Sequence, residues 1–382
     1  MALTLSEDQE LLQHAAREFV RGKSSLARVR ALRDSRDALG FSRSMWREMA
    51  ELGWVGIVLP ERVGGAGLGY AELAVIMEEL GRALVPEPMI STVLLGANAL
   101  LLGGSEAQRQ AHLPQIVSGE RLFAVAYQEP GGRFDARHVE TRAERAGGGW
   151  SISGTKAHVL DGHAADWLIV SGRTDGEKAD AAGVTLFALP IDAPGVSVEP
   201  QLRVDGRKTA VVHLADVRVE PDAVVGEVDA GGPLLERVLD RACAGLAAEM
   251  LGGMTAAFDM TMDYIKTRKQ FGVPVGSFQA LKHRAAIMYI EIELTRSAVM
   301  AAAQAVDDGR DAAAVTRAAA IAKARAADAF MLVANEGVQM HGGIGMTDEH
   351  DIGFFLKRAR AAEMTFGDAA FHRDRLGRLE GY

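Results

Sequence analysis

The hydrophobic periodicity of the chain changes twice, and this change constrains the fold more than any other feature. In residues 1–120 apolar side chains recur at helical spacing, as they do from Leu5 to Phe19. In residues 121–228 they alternate with a period of two between clusters of Gly, Pro and Asp, which predicts β-strands. Helical spacing returns in residues 229–382. Since no helical segment separates the strands, we predict an α+β chain with an N-terminal helical domain (1–120), a central antiparallel β domain (121–228) and a C-terminal helical domain (229–382).

Within the helical regions, three features predict individual helices. Ser6 and Gln9 form a capping pair at the start of the first helix. A long helix is predicted to run from about Gly232 towards Lys269. Alanine-rich residues from Ala298 to Val338 predict a second long helix without interruption.

The charge balance excludes several classes of protein. Lys and Arg total 42 against 51 Asp and Glu, a net charge of −9, whereas general nucleic-acid binders and proteins of anionic membrane surfaces need basic surface. No apolar run is long enough to cross a bilayer, and the N-terminus lacks the pattern of a secretory signal. The single Cys243 permits no intrachain disulfide. We therefore expect a cytoplasmic protein without nucleic-acid or membrane partners.

Common catalytic and phosphate-binding motifs are missing from the sequence. The glycines do not have the spacing of a dinucleotide-binding loop, and there is no P-loop, zinc-protease or serine-hydrolase signature. His341 and His350 lie near carboxylates, but such a pair is more often solvated at the surface than bound to metal. We therefore predict no metal site.

The stretch from Tyr264 to Gln279 carries the most chemical information. A long helix is predicted to end at Gly272, and a new helix is predicted to start near Ser277. Arg268 lies near this break, where a guanidinium can bind a diphosphate through two hydrogen bonds. The stretch also offers two amide donors and a flat ring, which are Gln270, Gln279 and Phe271. A helix corner whose Arg only caps carbonyls is the alternative interpretation, but it explains one Arg better than this whole series.

This stretch resembles the signature of the acyl-CoA dehydrogenase family, Y-x-x-x-R-x-Q/T-F-G followed by F/H-Q. In that family the corresponding residues reach FAD in a neighbouring subunit. The resemblance implies FAD-binding roles for Arg268, Gln270, Phe271, Phe278 and Gln279.

Four further segments extend the resemblance over nearly the whole chain. Gln339-Met-His-Gly-Gly343 is similar to the family's Q-x-x-G-G, whose glycines let the backbone approach the FAD diphosphate. Ala126–Gly131 resembles C-V-T-E-P-G, and Ile152–Lys156 resembles I-N-G-x-K. Pro60-Glu61 with Gly64-Gly65 matches P-E-x-x-G-G. By this resemblance, further FAD-binding residues are Tyr127, Gln128, His158, Leu160, Gln339, Gly342 and Gly343.

The resemblance also implies an architecture, a reaction and partners. The C-terminal domain is expected to form a four-helix bundle. The family's reaction is α,β-desaturation, in which a carboxylate removes the α-proton of an acyl-CoA thioester while the β-hydride passes to flavin N5. The expected partners are an acyl-CoA substrate, an electron-transfer flavoprotein or similar acceptor, and further acyl-CoA dehydrogenase-like chains in a homo- or heterotetramer.

The sequence departs from the family where the catalytic base should stand. The usual glutamate follows the Arg that aligns with Arg358, and its position is Gly367 here. Some members place the glutamate on the long helix instead, and that position is Ala242. The family's Ser in the E-P-G loop is Phe134, a bulky residue that would reshape or block the thioester site.

Three interpretations follow from these departures. Asp368, next to the usual position, serves as the base, although it is also a candidate helix N-cap. Alternatively, the chain is the FAD-supporting subunit of a heterotetramer, similar to bacterial members in which only one subunit type carries the glutamate. In the third interpretation the fold performs another reaction, that of a flavin-dependent oxidase or monooxygenase. We favour a dehydrogenase over the third.

Overall fold

A computed structural model describes residues 4–382. Its helices are α1 Glu7–Lys23, α2 Leu26–Asp34, α3 Arg43–Glu51, α4 Tyr70–Arg82, α5 Asn98–Gly103, α6 Glu106–Val117, α7 Gly231–Thr267, α8 Gln279–Asp307, α9 Ala312–His341, α10 Ile352–Met364 and α11 Ala369–Leu379. A π-helix, Met89–Ala97, leads into α5. Its strands are β1 Phe123–Ala126, β2 Arg142–Ala146, β3 Gly149–Leu160, β4 Trp167–Arg173, β5 Val184–Pro190, β6 Val196–Leu202, β7 Lys208–Val219, β8 Val224–Val225, β9 Lys269–Gln270 and β10 Val273–Pro274. Helices before and after a central group of strands confirm the predicted α+β fold.

The chain divides into two compact units. The helical unit contains the segments up to Ser35, 69–85 and 243–382, and the sheet unit contains 36–68 and 86–242. The predicted domain boundaries near 120 and 228 stay a prediction. Met1 to Leu3, part of the N-terminal segment predicted to lack a secretory signal, lie outside the described residues. None of the helices in residues 4–382 combines the length and the apolar composition needed to cross a bilayer.

The sheet unit is built on one sheet with the strand order β6-β7-β3-β2-β4-β5-β8. Its pairings are antiparallel, as predicted, except that β1 pairs in parallel with β4 and β2 has one parallel register pair with it. Gly147 and Gly148 join β2 to β3 with φ angles of 60° and 90°, the left-handed pair that a tight hairpin needs. Apolar side chains from one side of the sheet form its core, including Trp150, Ile152, Phe187 and Val212.

The first helix of the helical unit begins as predicted. The Ser6 hydroxyl accepts the Gln9 N–H at 3.3 Å, and the Gln9 side chain accepts the Ser6 N–H at 3.1 Å. This confirms the predicted capping pair.

Two glycines allow α4 and α7 to cross at close range within the helical unit. A Cβ added to Gly81 would lie 2.0 Å from the Glu249 carbonyl oxygen, and one added to Gly252 would lie 1.8 Å from that of Glu78. Any larger residue at either position would push the two helices apart.

Two predicted helix boundaries are wrong. The Ala298–Val338 helix is not continuous, because α8 ends at Asp307 and α9 starts at Ala312. Gly309 between them has a φ of 61°, and Asp311 caps α9 by accepting the Ala314 N–H at 2.8 Å. The long helix α7 ends at Thr267 rather than at Gly272.

Candidate active site

The residues after α7 form a small hairpin arm, Arg268–Ser277. Gln270 pairs with Val273 in a two-residue antiparallel ladder. Phe271 and Gly272 make the turn with φ angles of 52° and 82°. The turn leaves the Phe271 ring 90% exposed, and the Phe278 ring packs edge-on against it at 6.2 Å. The exposed ring is free to pack against a flat ring of another molecule.

The arm and the first residue of α8 carry polar side chains without partners in the described part of the chain. Within residues 4–382, the guanidinium of Arg268 and the side-chain amides of Gln270 and Gln279 form no hydrogen bond or ion pair, and all three residues are exposed. A free guanidinium beside an exposed ring suits a ligand with a diphosphate and a flat ring system. The arm therefore fits the FAD that the sequence predicts.

The Gln339 segment lies against the helix that precedes the arm. α9 ends at His341, and the His341 ring lies 4.4 Å from the Tyr264 ring near the end of α7. Gly342 has a φ of 66° and a ψ of −142°, which favours glycine, and Cβ atoms added to Gly342 or Gly343 would meet open space. Gln339 is exposed. The structure thus brings the two predicted diphosphate-binding segments together in the helical unit.

His341 is buried, so the expectation that it is a solvated surface residue is wrong. Its Nδ1 donates to the Gly337 carbonyl at 2.6 Å, and its ring lies 4.4 Å from the His350 ring. Burial, more than the proximity of His350, holds the pKa of His341 below its ordinary value. Within residues 4–382, no three His, Cys, Asp or Glu side chains cluster as metal ligands would.

The other predicted FAD-binding residues lie in the sheet unit, where two segments meet. The Gln128 carbonyl accepts the Ala157 N–H at 2.8 Å, so the 127–134 loop is fixed to β3. A bulge between Lys156 and Val159 places the exposed His158 at a φ of 54°. Tyr127 is buried and Leu160 is half-buried. The FAD-binding roles of these residues stay a prediction.

A buried ion pair joins the same two segments, and the sequence did not reveal it. Lys156 Nζ lies 2.5 Å from Glu129 Oε1 and donates to Ser171 Oγ at 2.9 Å. Glu129 also accepts the backbone N–H groups of Glu140 and Thr141. Burial, partly offset by Glu129, lowers the pKa of Lys156 to about 8. Burial raises the pKa of Glu129, but Lys156 and the hydrogen bonds outweigh it, so the Glu129 pKa lies below its ordinary value.

Lys156→Met should destabilise the protein by about 3–5 kcal/mol, because it leaves the Glu129 carboxylate buried without its cation. Urea unfolding followed by fluorescence measures the loss. In the native protein, the stabilisation from Glu129 is present above its ordinary pKa and is lost as pH falls through its lower folded pKa. In the Lys156→Met protein, burial should instead raise the Glu129 pKa above its ordinary value, so stability should fall as pH rises above that ordinary value and recover when acid protonates Glu129.

Lys178→Met is the matched control, because Lys178 forms an exposed ion pair with Glu140 at 2.8 Å in the same unit. Its unfolding midpoint should match that of the native protein. Equal midpoints for Lys156→Met and Lys178→Met would contradict the stabilising role of the buried pair.

Gly367, which the resemblance predicts to be the usual base position, has a backbone conformation that excludes most side chains. Gly367 has a φ of 110°, and a Cβ added there would lie 2.3 Å from Phe371 Cδ1. The neighbouring Asp368 caps α11 by accepting the Phe371 N–H at 2.8 Å. The other position, Ala242, is fully buried in α7. Phe134 is half-buried, with the Arg133 guanidinium 5.7 Å from its ring.

Comparisons with known proteins cover the whole of this architecture. Residues 6–120, 124–217 and 229–379 match the N-terminal, middle and C-terminal domains of acyl-CoA dehydrogenases. The chain is 31% identical to the probable acyl-CoA dehydrogenase YngJ of Bacillus subtilis over 98% of both chains.

Two solved structures are similar along their full length. A Tcur3481–Tcur3483 steroid ACAD variant is 34% identical, with a TM-score of 0.87 over 99% of this chain and 98% of the other. The ChsE4–ChsE5 complex from Mycobacterium tuberculosis is 28% identical, with a TM-score of 0.89 over 100% of both chains.

Fold and similarity define an FAD-dependent oxidoreductase that acts on CH–CH groups. More narrowly, the chain belongs to the acyl-CoA dehydrogenase family. The family, the fold class and the cofactor predicted from the sequence are confirmed.

Proposed function

We propose that this chain is the FAD-supporting subunit of a heterotetrameric acyl-CoA dehydrogenase, in which a second acyl-CoA dehydrogenase-like chain supplies the catalytic carboxylate. The substrate is an acyl-CoA thioester, and the electron acceptor is an electron-transfer flavoprotein or a similar protein. The observation that carries the proposal is the geometry at Gly367, where the family's usual glutamate is absent.

The backbone conformation and the surroundings of position 367 favour glycine. A residue with a side chain is strained at a φ of 110°, and its Cβ would overlap the Phe371 ring at 2.3 Å. Ala242 offers no carboxylate at the alternative position. The two known sources of the base are therefore missing together.

Asp368 has a structural role as the N-cap of α11. One of its carboxylate oxygens accepts the Phe371 N–H, which stabilises the start of α11. The carboxylate is held by this cap one residue away from the position that the family's base uses. This supports a partner-supplied base rather than Asp368.

The residues of this chain bind and orient the cofactor in the proposal. FAD, when bound, supplies the hydride acceptor for the desaturation. Arg268 would bind the diphosphate of the FAD in a neighbouring subunit with its guanidinium, and Gln270 and Gln279 would donate hydrogen bonds to that FAD. Gly342 and Gly343 would let the backbone approach the same diphosphate. Tyr127, Gln128, His158 and Leu160 would border a flavin ring in the sheet unit of this chain.

Similarity to two-chain assemblies supports the heterotetramer. Both solved structures described above are named after pairs of proteins, Tcur3481 with Tcur3483 and ChsE4 with ChsE5. The exposed Phe271 on the arm offers a contact for a neighbouring subunit. No feature of the described residues favours an oxidase or monooxygenase over the dehydrogenase.

Asp368→Asn tests the proposal in the complex of this chain with a partner that carries the glutamate. The substitution keeps the size and the cap but removes a proton acceptor. The rate of flavin reduction by acyl-CoA, followed by stopped flow, should stay within a few-fold of the native rate. A loss of about 10²–10⁴-fold would transfer the role of base to Asp368. Light scattering should find a mixed tetramer, and a monomer with full FAD would contradict the assembly.

A further inference from the structure

Lys323 is a fully buried lysine without a carboxylate partner. It lies in the middle of α9, and none of the carboxylates in residues 4–382 pairs with it. Its Nζ donates to two backbone carbonyls, that of Gly367 at 2.7 Å and that of Glu363 at 3.0 Å. Burying an ammonium group costs free energy unless its N–H groups form hydrogen bonds. The hydrogen bonds to these two carbonyls therefore offset much of this cost.

The two carbonyls flank the short segment that joins α10 to α11. α10 ends at Met364, and its last carbonyls have no partner within the helix. Phe366 and Gly367 then follow with φ angles of 62° and 110°, two consecutive left-handed residues. A non-glycine residue such as Phe366 keeps this conformation only where its surroundings impose it. Lys323 is the side chain that reaches both ends of the strained segment.

We propose that Lys323 is a positioning residue that holds the Thr365–Asp368 loop in the conformation that closes the Gly367 position. By binding the Glu363 and Gly367 carbonyls, it keeps Gly367 against Phe371 and His372. The inference rests on the proposed function, because it assigns the means by which this chain shapes the wall where the family's base would stand.

The groups around Lys323 are compatible with a charged ammonium. Burial is the main cause that lowers the pKa of Lys323 to about 8. Burial also lowers the pKa of His372 to about 3, so this ring is neutral and adds no second cation. The other titratable groups that face Lys323 are Cys243 of α7, Glu363 and Arg358 of α10, and Asp368 of α11. Below pH 8 the ammonium is therefore the main cation available to the loop, since Arg358 is paired with Glu249 at 2.9 Å.

Hydrogen exchange measured by mass spectrometry on the peptide covering residues 363–371 tests the inference without any activity assay. In Lys323→Met the loop amides should exchange at least about tenfold faster, since losing a hydrogen bond to a charged group shifts an opening equilibrium by that factor or more. Amides in the middle of α8 should keep their protection, and Lys178→Met should leave the loop unchanged.

The pH profile separates positioning from a general structural role. In the native protein, opening of the loop exposes Lys323 and restores its ordinary, higher pKa, so loop exchange corrected for the intrinsic rate should fall as pH rises above about 8. In Lys323→Met the corrected exchange should not depend on pH in this range.

Unchanged loop exchange in a folded Lys323→Met protein, or a flat profile in the native protein, would overturn the inference. If Lys323→Met does not fold, the native profile alone decides. Since the measurement needs no partner chain, its failure is distinguishable from failure of the heterotetramer proposal, which the Asp368→Asn rates decide.

Discussion

The isolated chain, purified with FAD, should be reduced by acyl-CoA esters about 10²–10⁴-fold more slowly than the mixed complex, because a positioned general base contributes a factor of that size. Gly367 and Ala242 cannot accept the α-proton. In the isolated chain, therefore, no base removes this proton as the hydride is transferred. Stopped-flow bleaching of the flavin with a panel of acyl-CoA esters measures both rates.

The control is the partner chain, whose glutamate is replaced by glutamine in an otherwise identical complex. This complex should fall to the rate of the isolated chain. Rapid reduction of the isolated chain by any ester would contradict the proposal. If the isolated Asp368→Asn protein were also reduced rapidly, both Asp368 and the partner would be excluded as the base.

Arg268→Ala should weaken FAD binding by roughly 10- to 150-fold, because removing a charge-assisted hydrogen bond costs about 1.5–3 kcal/mol. The guanidinium is exposed and has no partner in the described part of the chain, so its loss leaves the protein's own contacts intact. The protein should lose its yellow colour on gel filtration, and the flavin absorbance per chain gives the occupancy.

Two matched variants show whether the guanidinium itself is responsible. Lys266→Ala removes a positive charge from the exposed last turn of α7 and should retain FAD. Arg268→Lys keeps the charge but loses the two-pronged geometry, so it should fall between the native protein and Arg268→Ala. Native occupancy in Arg268→Ala would refute the assignment of this residue to the diphosphate.

Local patterns in the sequence predicted those features that depend on neighbours along the chain. The Ser6–Gln9 cap involves only residues within one helical turn. The alternation of apolar and polar side chains that predicts a strand involves only the residues of that strand. The Asp308–Asp311 break was also visible locally, since Gly309 and Asp311 are ordinary stop and start signals. The alanine-rich composition on both sides concealed it.

Features that depend on distant residues did not follow from the sequence. Glu129 and Lys156 each belong to a motif of the sequence, but their pairing requires β3 to lie beside the 127–134 loop. The parallel pairing of β1 with β4 depends on the sheet order. Lys323 appeared as one cation in an alanine-rich helix, and only the packing of α10 and α11 against α9 gives it two carbonyl partners.

The geometry of Gly367 has an evolutionary consequence. An ancestor with a glutamate here could lose it in one step once a partner carried the base, and the loop could then relax into a left-handed glycine with Phe371 packed over it. The reverse step is harder, because a returning glutamate meets both the φ of 110° and the Phe371 ring. Under the proposed function, regaining a base in this chain therefore requires at least two changes, each of little use alone. The proposed dependence on a partner would then be hard to reverse, and the two genes would be retained together.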